Sequence, residues 1–565
     1  MALPLLTPPV ARVLRVVAVG AWAVGLLAAV ADLVLGLRRL AGGSTPGDLL
    51  AYAAVWLAAW GLGLGLPAFG AALAVPRHPG VARGLQALVH AALAGVFLHA
   101  AVTRPAVPPL ALPAAPAPAA PRGPVVLLTL DTFRADHLSA IGGGPQATRT
   151  PALDALAARG AFYTRGIAHV PLTLPSHLTM LAGRPPDATA LVRNGQPVDP
   201  SLPRVPAAFA AAGWRTGAFV SAGVLARRTG IAHGFGHYDD QLGPLHRALQ
   251  SGLLHSIFRF TEPTRTPSQR RGDETLGRAV DWLAASDDPR PAFLWVHLYD
   301  PHAPYDPPPP YRARVTEAAE DPAALGRPED MRALHRRLRA RKRMPFIGVG
   351  LDLRAPIAAY AGEVEWTDHL VSRLVAALPP DATLLVAADH GESLLEHDYP
   401  LNHGNRLHEV ALRVPILHVG PGVAPARVED PVPLASVAST LLAAGGLPPL
   451  PGALPALAAP SAPADILSVA PVQQSRRTFG QRGVPRVSWT VGPLRVVVDD
   501  EDTLTAFDLA ADPAESADIG AALADAPARR AAGRALLDTL PLRKDDVPAG
   551  DEELVEELRA LGYTE

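Results

Sequence analysis

Cysteine is absent from the chain. That excludes disulfides, thiolate metal sites and cysteine nucleophiles, but leaves the compartment open, because a cysteine-free protein can live anywhere. An excess of one charge is missing too. Lys and Arg number 51 against 53 Asp and Glu, for a net charge of −2, which argues against nucleic acid as the main partner. Lysine is nearly absent, with arginine in its place. Together with the Ala and Pro richness, this reflects a GC-rich genome more than a function.

Charge is also missing locally. Leu49–Val75 and Gly84–Thr103 contain no Asp, Glu, Lys or Arg, and Val16–Leu37 holds only Asp32. Each run reaches the ~20 residues that a helix needs to cross the hydrocarbon core. Three transmembrane helices are therefore expected in a membrane anchor over residues 1–104, with Asp32 facing another helix or lying near an end. Three successive runs without a clear cleavage site do not fit a signal peptide. Arg12, Arg15, Arg38, Arg39, Arg77, Arg83 and Arg104 nearly balance across the two sides. Three spans from a cytoplasmic N-terminus would place everything after residue 104 outside the cytoplasm. The expectation is a multi-pass cell-membrane protein with an extracytoplasmic catalytic domain. Residues 105–123, PAVPPLALPAAPAPAAPRG, read as a semi-rigid polyproline II linker. At 565 residues the chain is long enough for two or more domains.

Beyond the linker, VVLLTL (125–130) is a short β-branched run of the kind buried in a parallel sheet, and it ends at Asp131. Ligands in open α/β sheets gather beyond the carboxyl ends of strands, so Asp131 is placed for function; a helix N-cap is the structural alternative. TLLVAA (383–388) is a second such strand, ending at Asp389-His390. A carboxylate next to an imidazole suits Zn²⁺ or Mn²⁺ better than Ca²⁺, which prefers oxygen ligands. PAFLWVHLYD (291–300) runs into a Pro-rich loop that presents His302; a surface histidine is the alternative there. His297, inside that strand, reads as a core histidine. His403 precedes Gly404, whose missing side chain allows close approach to a ligand. In VPLTLPSH (170–177), Thr173 either shapes a turn or attacks a substrate.

In chain order, these segments form a known set. VVLLTLDTFRADHL, TPALDALAARGAFYT, TLPSHLTMLAGRPP, AAGWRTGAFV, GFGHYDD, FLWVHLYDPHAPYDPP, YAGEVEWTDHLVSRLVAAL, LLVAADHGESLLEH and HGNRLHEVALRVPIL resemble the sulfatase branch of the alkaline phosphatase superfamily. GPLRVVVDDEDTLTAFDLAADPAESADI and LRALGY resemble that family's small C-terminal domain. The resemblance implies an α/β fold: a central mixed sheet flanked by helices over residues 124–445, then a small α+β subdomain over 446–565, here preceded by the membrane anchor. Within the subdomain, Leu494–Asp499 and Leu504–Asp508 read as antiparallel strands and Glu552–Leu561 as a terminal helix.

Carried over residue by residue, the resemblance makes Asp131, Asp389 and His390 metal ligands, and Thr173 both a ligand and the nucleophile. The implied cofactor is a divalent cation, with Zn or Mn favoured and Ca or Mg as alternatives. A bound cation lowers the hydroxyl pKa, and attack would leave a covalent ester on Thr173. His302 and His403 would contact the transferred group or protonate the leaving oxygen. The alternative is a second metal held by Asp300, His302 and His403.

The departures from the family are as informative. Threonine cannot be oxidised to formylglycine, as a sulfatase Cys or Ser is. The motif's arginine is His177, a candidate substrate contact. The family's GKWHLG stretch aligns with VSAGVL (220–225), which has neither its Lys nor its His. Asn194 lies 21 residues after Thr173, the offset of a phosphate-binding Asn in the nucleotide pyrophosphatase/phosphodiesterases. The threonine also resembles that of the membrane-anchored phosphoglycerol and phosphoethanolamine transferases. Phosphorus is favoured over sulfur on these grounds. The expected partners are the membrane and a small-molecule, lipid or glycan phosphate or sulfate ester. A strict sulfatase and an inactive anion-binding relative are the alternatives.

Overall fold

The computed structural model describes residues 123–142, 148–242, 269–285, 288–313, 354–394, 396–399, 401–457, 465–472 and 483–543. The three expected spans, nearly all of the Pro/Ala tract and Glu552–Leu561 lie outside these residues. Among the described residues, no helix is long and apolar enough to cross a membrane.

The large sheet has nine strands: β1 (Val125–Leu130), β2 (Ala161–Ile167), β3 (Arg215–Val220), β4 (His237–Asp239), β5 (Ala292–Leu298), β6 (Thr383–Ala388), β7 (Arg413–Val419), β8 (Ala426–Val428) and β9 (Val432–Pro433). Their order is β4-β3-β5-β1-β6-β7-β2-β8, with β9 also on β2. β7 runs antiparallel to both β6 and β2, while β4, β3, β5, β1 and β6 are mutually parallel. The sheet is therefore mixed. All residues of β1, β5 and β6 are buried, as continuous apolar runs in the middle of a parallel sheet should be.

Eight helices matter here: α1 (Pro151–Arg159), α2 (Thr173–Ala182), α3 (Val205–Ala211), α4 (Gly272–Ala284), α5 (Arg354–Ala377), α6 (Glu409–Leu412), α7 (Ser436–Ala444) and α8 (Ala526–Thr539). Every residue of α2 is buried, so this helix is core rather than an amphipathic cover. It ends at Gly183, whose φ of 70° is the left-handed conformation that a helix C-terminus uses.

A second, four-stranded antiparallel sheet follows: β10 (Ile466–Ala470), β11 (Arg486–Val491), β12 (Leu494–Asp499) and β13 (Leu504–Asp508). The β12–β13 pair is the hairpin expected from the sequence. The sheet has its own core, with Val469, Val487, Trp489, Val496, Val498 and Leu537. Val170, Leu172 and Val192, from the larger part of the chain, are buried in that same core. The stretch leading into α2 therefore rests on the small sheet. His397, His408 and Glu515 meet nearby, with His408 Nδ1 3.3 Å and His397 Nε2 3.8 Å from Glu515 Oε2. The two rings are stacked face to face, 3.6 Å apart and 9° from parallel. A cation bound by both would have to lie in both ring planes, which stacked planes cannot share. Stacked rings are thus a poor geometry for one shared cation, although the three groups lie close enough to hold one. The buried Arg495 joins the cluster, 3.5 Å from Glu515 and 2.8 Å from Glu409.

Several histidines are sealed in neutral form. Burial holds His137 and His169 down at about 4, against an ordinary value of 6.5. Neither His137 nitrogen has a hydrogen-bond partner among the described residues, and its ring packs 4.9 Å from Tyr360. The unfolded chain takes up these protons near pH 6.5, whereas the folded chain resists until about 4. Stability present above pH 6.5 should thus fall as the pH drops through that window. His137→Phe keeps a packed ring and removes one such group. Its urea unfolding midpoint should drop less between pH 7 and pH 5 than that of the parent, as followed by circular dichroism.

Candidate active site

Strand register builds the site. Leu130 pairs with Ala388 across β1 and β6, and with Leu298 across β1 and β5. Asp131 and Asp389 therefore step off neighbouring strands at the same level. Residues alternate faces along a strand, so Thr129, Asp131, Trp295, His297 and Asp389 share the face on which α2 lies. Thr132, next to Asp131, has a φ of 52°, in the left-handed region. Its N–H donates to Asp389 Oδ1 at 3.1 Å, and its carbonyl accepts from Tyr360 Oη at 2.8 Å. Tyr360 also receives the Arg134 N–H at 3.0 Å. Arg134 in turn donates to Asp136, to Glu396 and to the Glu392 carbonyl. The turns after the two strands are thus held to each other.

Asp131, Asp389 and His390 are fully buried, and one ligand atom from each lies within 4.8 Å of the others. Asp131 Oδ1, Asp389 Oδ2, His390 Nε2 and Thr173 Oγ1 are all buried, and none has a hydrogen-bond partner among the described residues. His390 Nδ1 donates to the Gly391 carbonyl at 3.0 Å, which leaves its Nε2 lone pair exposed to the carboxylates. Asp389 Oδ2 is 3.4 Å from that nitrogen. Burial raises the pKa of Asp131, and burial with the charge of Asp131 raises that of Asp389. Thr173 lies close enough to Asp131 to oppose the rise there, but without the geometry of a hydrogen bond. Four unsatisfied buried atoms facing one another are costly unless a cation or protons lie between them. Two carboxylates, an unprotonated imidazole nitrogen and a hydroxyl are a donor set that a divalent cation fits.

Around this centre stand two further imidazoles. The His403 ring is 4.5 Å from that of His390 and 5.1 Å from that of His302. His302 stacks on Tyr299 at 4.3 Å. Burial pulls the His403 pKa down, but Glu392, bonded to its Nδ1 at 3.1 Å, outweighs this with Asp131 and Asp389 and lifts it. Asn194 is buried and accepts the Leu174 N–H at 2.9 Å. It thereby caps the start of α2, where Leu172 has no capping side chain.

Two expectations need correction. His177 does not face a substrate. Its ring is fully buried, with Nδ1 2.7 Å from the Thr173 carbonyl and Nε2 3.0 Å from Thr129 Oγ1, so both nitrogens are used inside the fold. Nor do Asp300, His302 and His403 come close enough together, among the described residues, to share one cation. Asp300 Oδ1 accepts from Gly272 and from Trp366 Nε1, at 3.2 and 2.8 Å, which holds it against α4 and α5, while its Oδ2 is buried without a partner among the described residues. One residue read as the weaker candidate, His297, comes to the site, and one, Glu392, escaped sequence reasoning. His297 packs inside the fold as expected, but its Nε2 lies 3.3 Å from Asp131 Oδ2. Glu392 holds His403. Strand alternation from Asp131 through its β5 partners could have found His297. Nothing local distinguishes Glu392 from a surface acid.

A mixed α/β fold with a buried, cation-ready carboxylate pair beside a helix-borne hydroxyl defines a class of ester-cleaving enzymes. The sulfatase family profile matches residues 124–447, and the chain belongs to that family; with it, the protein is a hydrolase of sulfuric or phosphoric esters. A comparison with curated protein sequences finds no match. Among solved structures, the phosphonate monoester hydrolase of Agrobacterium radiobacter is similar, at 22% identity with a TM-score of 0.55, over 74% of this chain and 95% of that one. The phosphonate monoester hydrolase of Silicibacter pomeroyi is similar at 19% identity and a TM-score of 0.53, over 74% and 96%. A protein solved with its substrate D-glucosamine-2-N,6-O-disulfate is similar at 16% identity and 0.54, over 76% and 99%.

The donor set yields a test that does not depend on turnover. Zn²⁺ or Mn²⁺ should raise the melting temperature of the chelator-treated protein, as any ligand of the native state does. Asp131→Asn should abolish both that shift and the bound metal measured by mass spectrometry. An unchanged shift would remove Asp131 from the site.

Proposed function

We propose that the protein is a membrane-anchored, metal-dependent hydrolase or phosphotransferase that cleaves phosphoric esters by attack from Thr173. One observation carries this reading: the Thr173 hydroxyl is buried without a partner beside Asp131, Asp389 and His390. Asp131, Asp389, His390 and Thr173 would hold the cation, which when bound lowers the pKa of the threonine hydroxyl and offsets charge on the ester. Position 173 cannot yield formylglycine, so an unmodified alcohol is the nucleophile available. The phosphonate monoester hydrolases among the similar structures also support phosphorus.

The chain's own groups divide the work. α2 presents its N-terminus, where the helix dipole favours an anion, to the ester. Asn194, its oxygen occupied by the Leu174 N–H, keeps its amide hydrogens for a substrate oxygen. Thr173 gives up its hydroxyl proton to solvent as it ionises, and the new bond forms between its Oγ1 and phosphorus as the bond to the leaving oxygen breaks. His403, held through Nδ1 by Glu392, presents its other nitrogen to the leaving oxygen and donates a proton there. His302, beside it, completes the imidazole wall. Water or an acceptor alcohol then releases Thr173. Sulfate ester hydrolysis by the same alcohol is the second reading, favoured by the family itself.

Thr173→Val keeps the shape and removes the oxygen. Turnover of an aryl phosphodiester should fall by at least ~10³-fold, about 4 kcal/mol of barrier, with folding intact. Thr173→Ser should keep partial activity. Acid quench and mass spectrometry should find a phosphoryl group on the Thr173 peptide; a sulfuryl group from an aryl sulfate would favour the second reading, and full activity of Thr173→Val would end the mechanism. The anchor is tested separately. A reporter fused at residue 120 of the full chain should be active only when export is required for its activity, and cytoplasmic activity would reverse the orientation.

A further inference from the structure

Below Thr173 a chain of hydrogen bonds runs from the sheet into α2. Trp295 Nε1 lies 3.0 Å from Thr129 Oγ1, Thr129 Oγ1 lies 3.0 Å from His177 Nε2, and His177 Nδ1 lies 2.7 Å from the Thr173 carbonyl. Trp295, Thr129, His177 and Thr173 are all fully buried. Donor and acceptor roles follow from the carbonyl end. A carbonyl only accepts, so His177 Nδ1 carries a hydrogen. In the neutral ring Nε2 is then bare and takes the Thr129 hydrogen, while Thr129 Oγ1 accepts from the indole N–H of Trp295, which only donates. The relay thus calls for one form of the ring: neutral, protonated on Nδ1 alone.

We infer that Trp295, Thr129 and His177 are a positioning relay that fixes the main chain of Thr173, and with it the direction of the Thr173 hydroxyl. This rests on Thr173 being the attacking group. Thr173 is the first residue of α2, where the helix has no turn before it to hold the peptide in place. Its neighbours are fixed from other sides. Ser176 Oγ donates to the Asp389 carbonyl at 2.6 Å, and Asn194 takes the Leu174 N–H. The relay supplies the remaining anchor and ties it to β1 and β5, the strands whose carboxyl ends carry Asp131 and lead to His302. Nucleophile and carboxylate are thereby referred to the same two strands. The position that holds arginine in the family motif so resembled is occupied here by an uncharged ring. Its Nδ1 lies 3.6 Å from Asp389 Oδ2, too far for a hydrogen bond, and brings no positive charge to compete for that oxygen.

The relay can be read without turnover. In the full chain labelled with ¹⁵N-histidine and assigned by loss of one signal in His177→Gln, long-range ¹H–¹⁵N spectra should show Nδ1 protonated and Nε2 bare. A proton on Nε2 would overturn the relay. Thr129→Val keeps the shape and breaks the chain at its middle. A hydroxyl displaced by a fraction of an ångström should cost kcat about ten- to a hundredfold, with KM changed by no more than about twofold, since the groups that bind the ester stay in place. Thr129→Ser should restore most of kcat, which a purely volumetric role for position 129 would not predict. Wild-type kcat in a folded Thr129→Val would sink the proposal while leaving the Thr173 mechanism untouched. If Thr173→Val were itself active, the mechanism would fall, and the spectrum of His177 would still decide whether the relay exists. Should Thr129→Val fail to fold, Trp295→Phe, which removes only the first donor, should show the same split between kcat and KM; unaltered kcat there would overturn the relay.

Discussion

Two carboxylates buried side by side are the constraint on which the rest of the structure turns. Asp131 and Asp389 are sealed from water at the ends of adjacent strands. Like charges so placed repel strongly in a medium of low dielectric constant. Burial shifts both toward protonation, so each would give up its charge before sharing the site with another anion. The surroundings read as an answer to this repulsion: one carboxylate oxygen bonded to the Thr132 and His390 N–H groups, a neutral imidazole nitrogen turned inward, and a hydroxyl left without a partner. A divalent cation would satisfy all of these at once.

The large elements were legible because their signals are local. VVLLTL and TLLVAA are apolar β-branched runs bounded by acids, and each forms the strand read from it. The ends of those strands marked Asp131, Asp389 and His390, and strand register then brought them together. His177 was misread because the motif gives its spacing on α2 but not the face it turns; only the packing of α2 on β1 reveals that the ring points at Thr129. Asp300 was misplaced for a related reason. It follows a strand end as Asp131 does, but α5 presents Trp366 to it and draws it away. Glu392 could not be singled out, because its partner His403 comes from a turn folded back over it. What the sequence concealed was tertiary direction rather than residue type.

The chain also keeps the family fold while departing from its motif at two positions. The sulfatase fold supplies a strand-end carboxylate pair and a helix start, whatever residue stands at the start of that helix. Here the residue is threonine, and the position four further on is an imidazole committed to the backbone. The two substitutions agree with the proposed attack by an unmodified alcohol, since threonine cannot yield formylglycine and the imidazole brings no guanidinium.

The distribution of the site along the chain has a consequence for how the enzyme is made. The N–H of Thr132 bonds to a carboxylate 257 residues further on, and the apolar residues ahead of Thr173 are buried in a core that includes Leu542. Contacts of such long sequence separation close late in folding. A ribosome that has produced the first three hundred residues has made the Thr173 hydroxyl and one carboxylate, but not the strand that carries the second. The candidate site is thus assembled from segments that the ribosome delivers far apart in time.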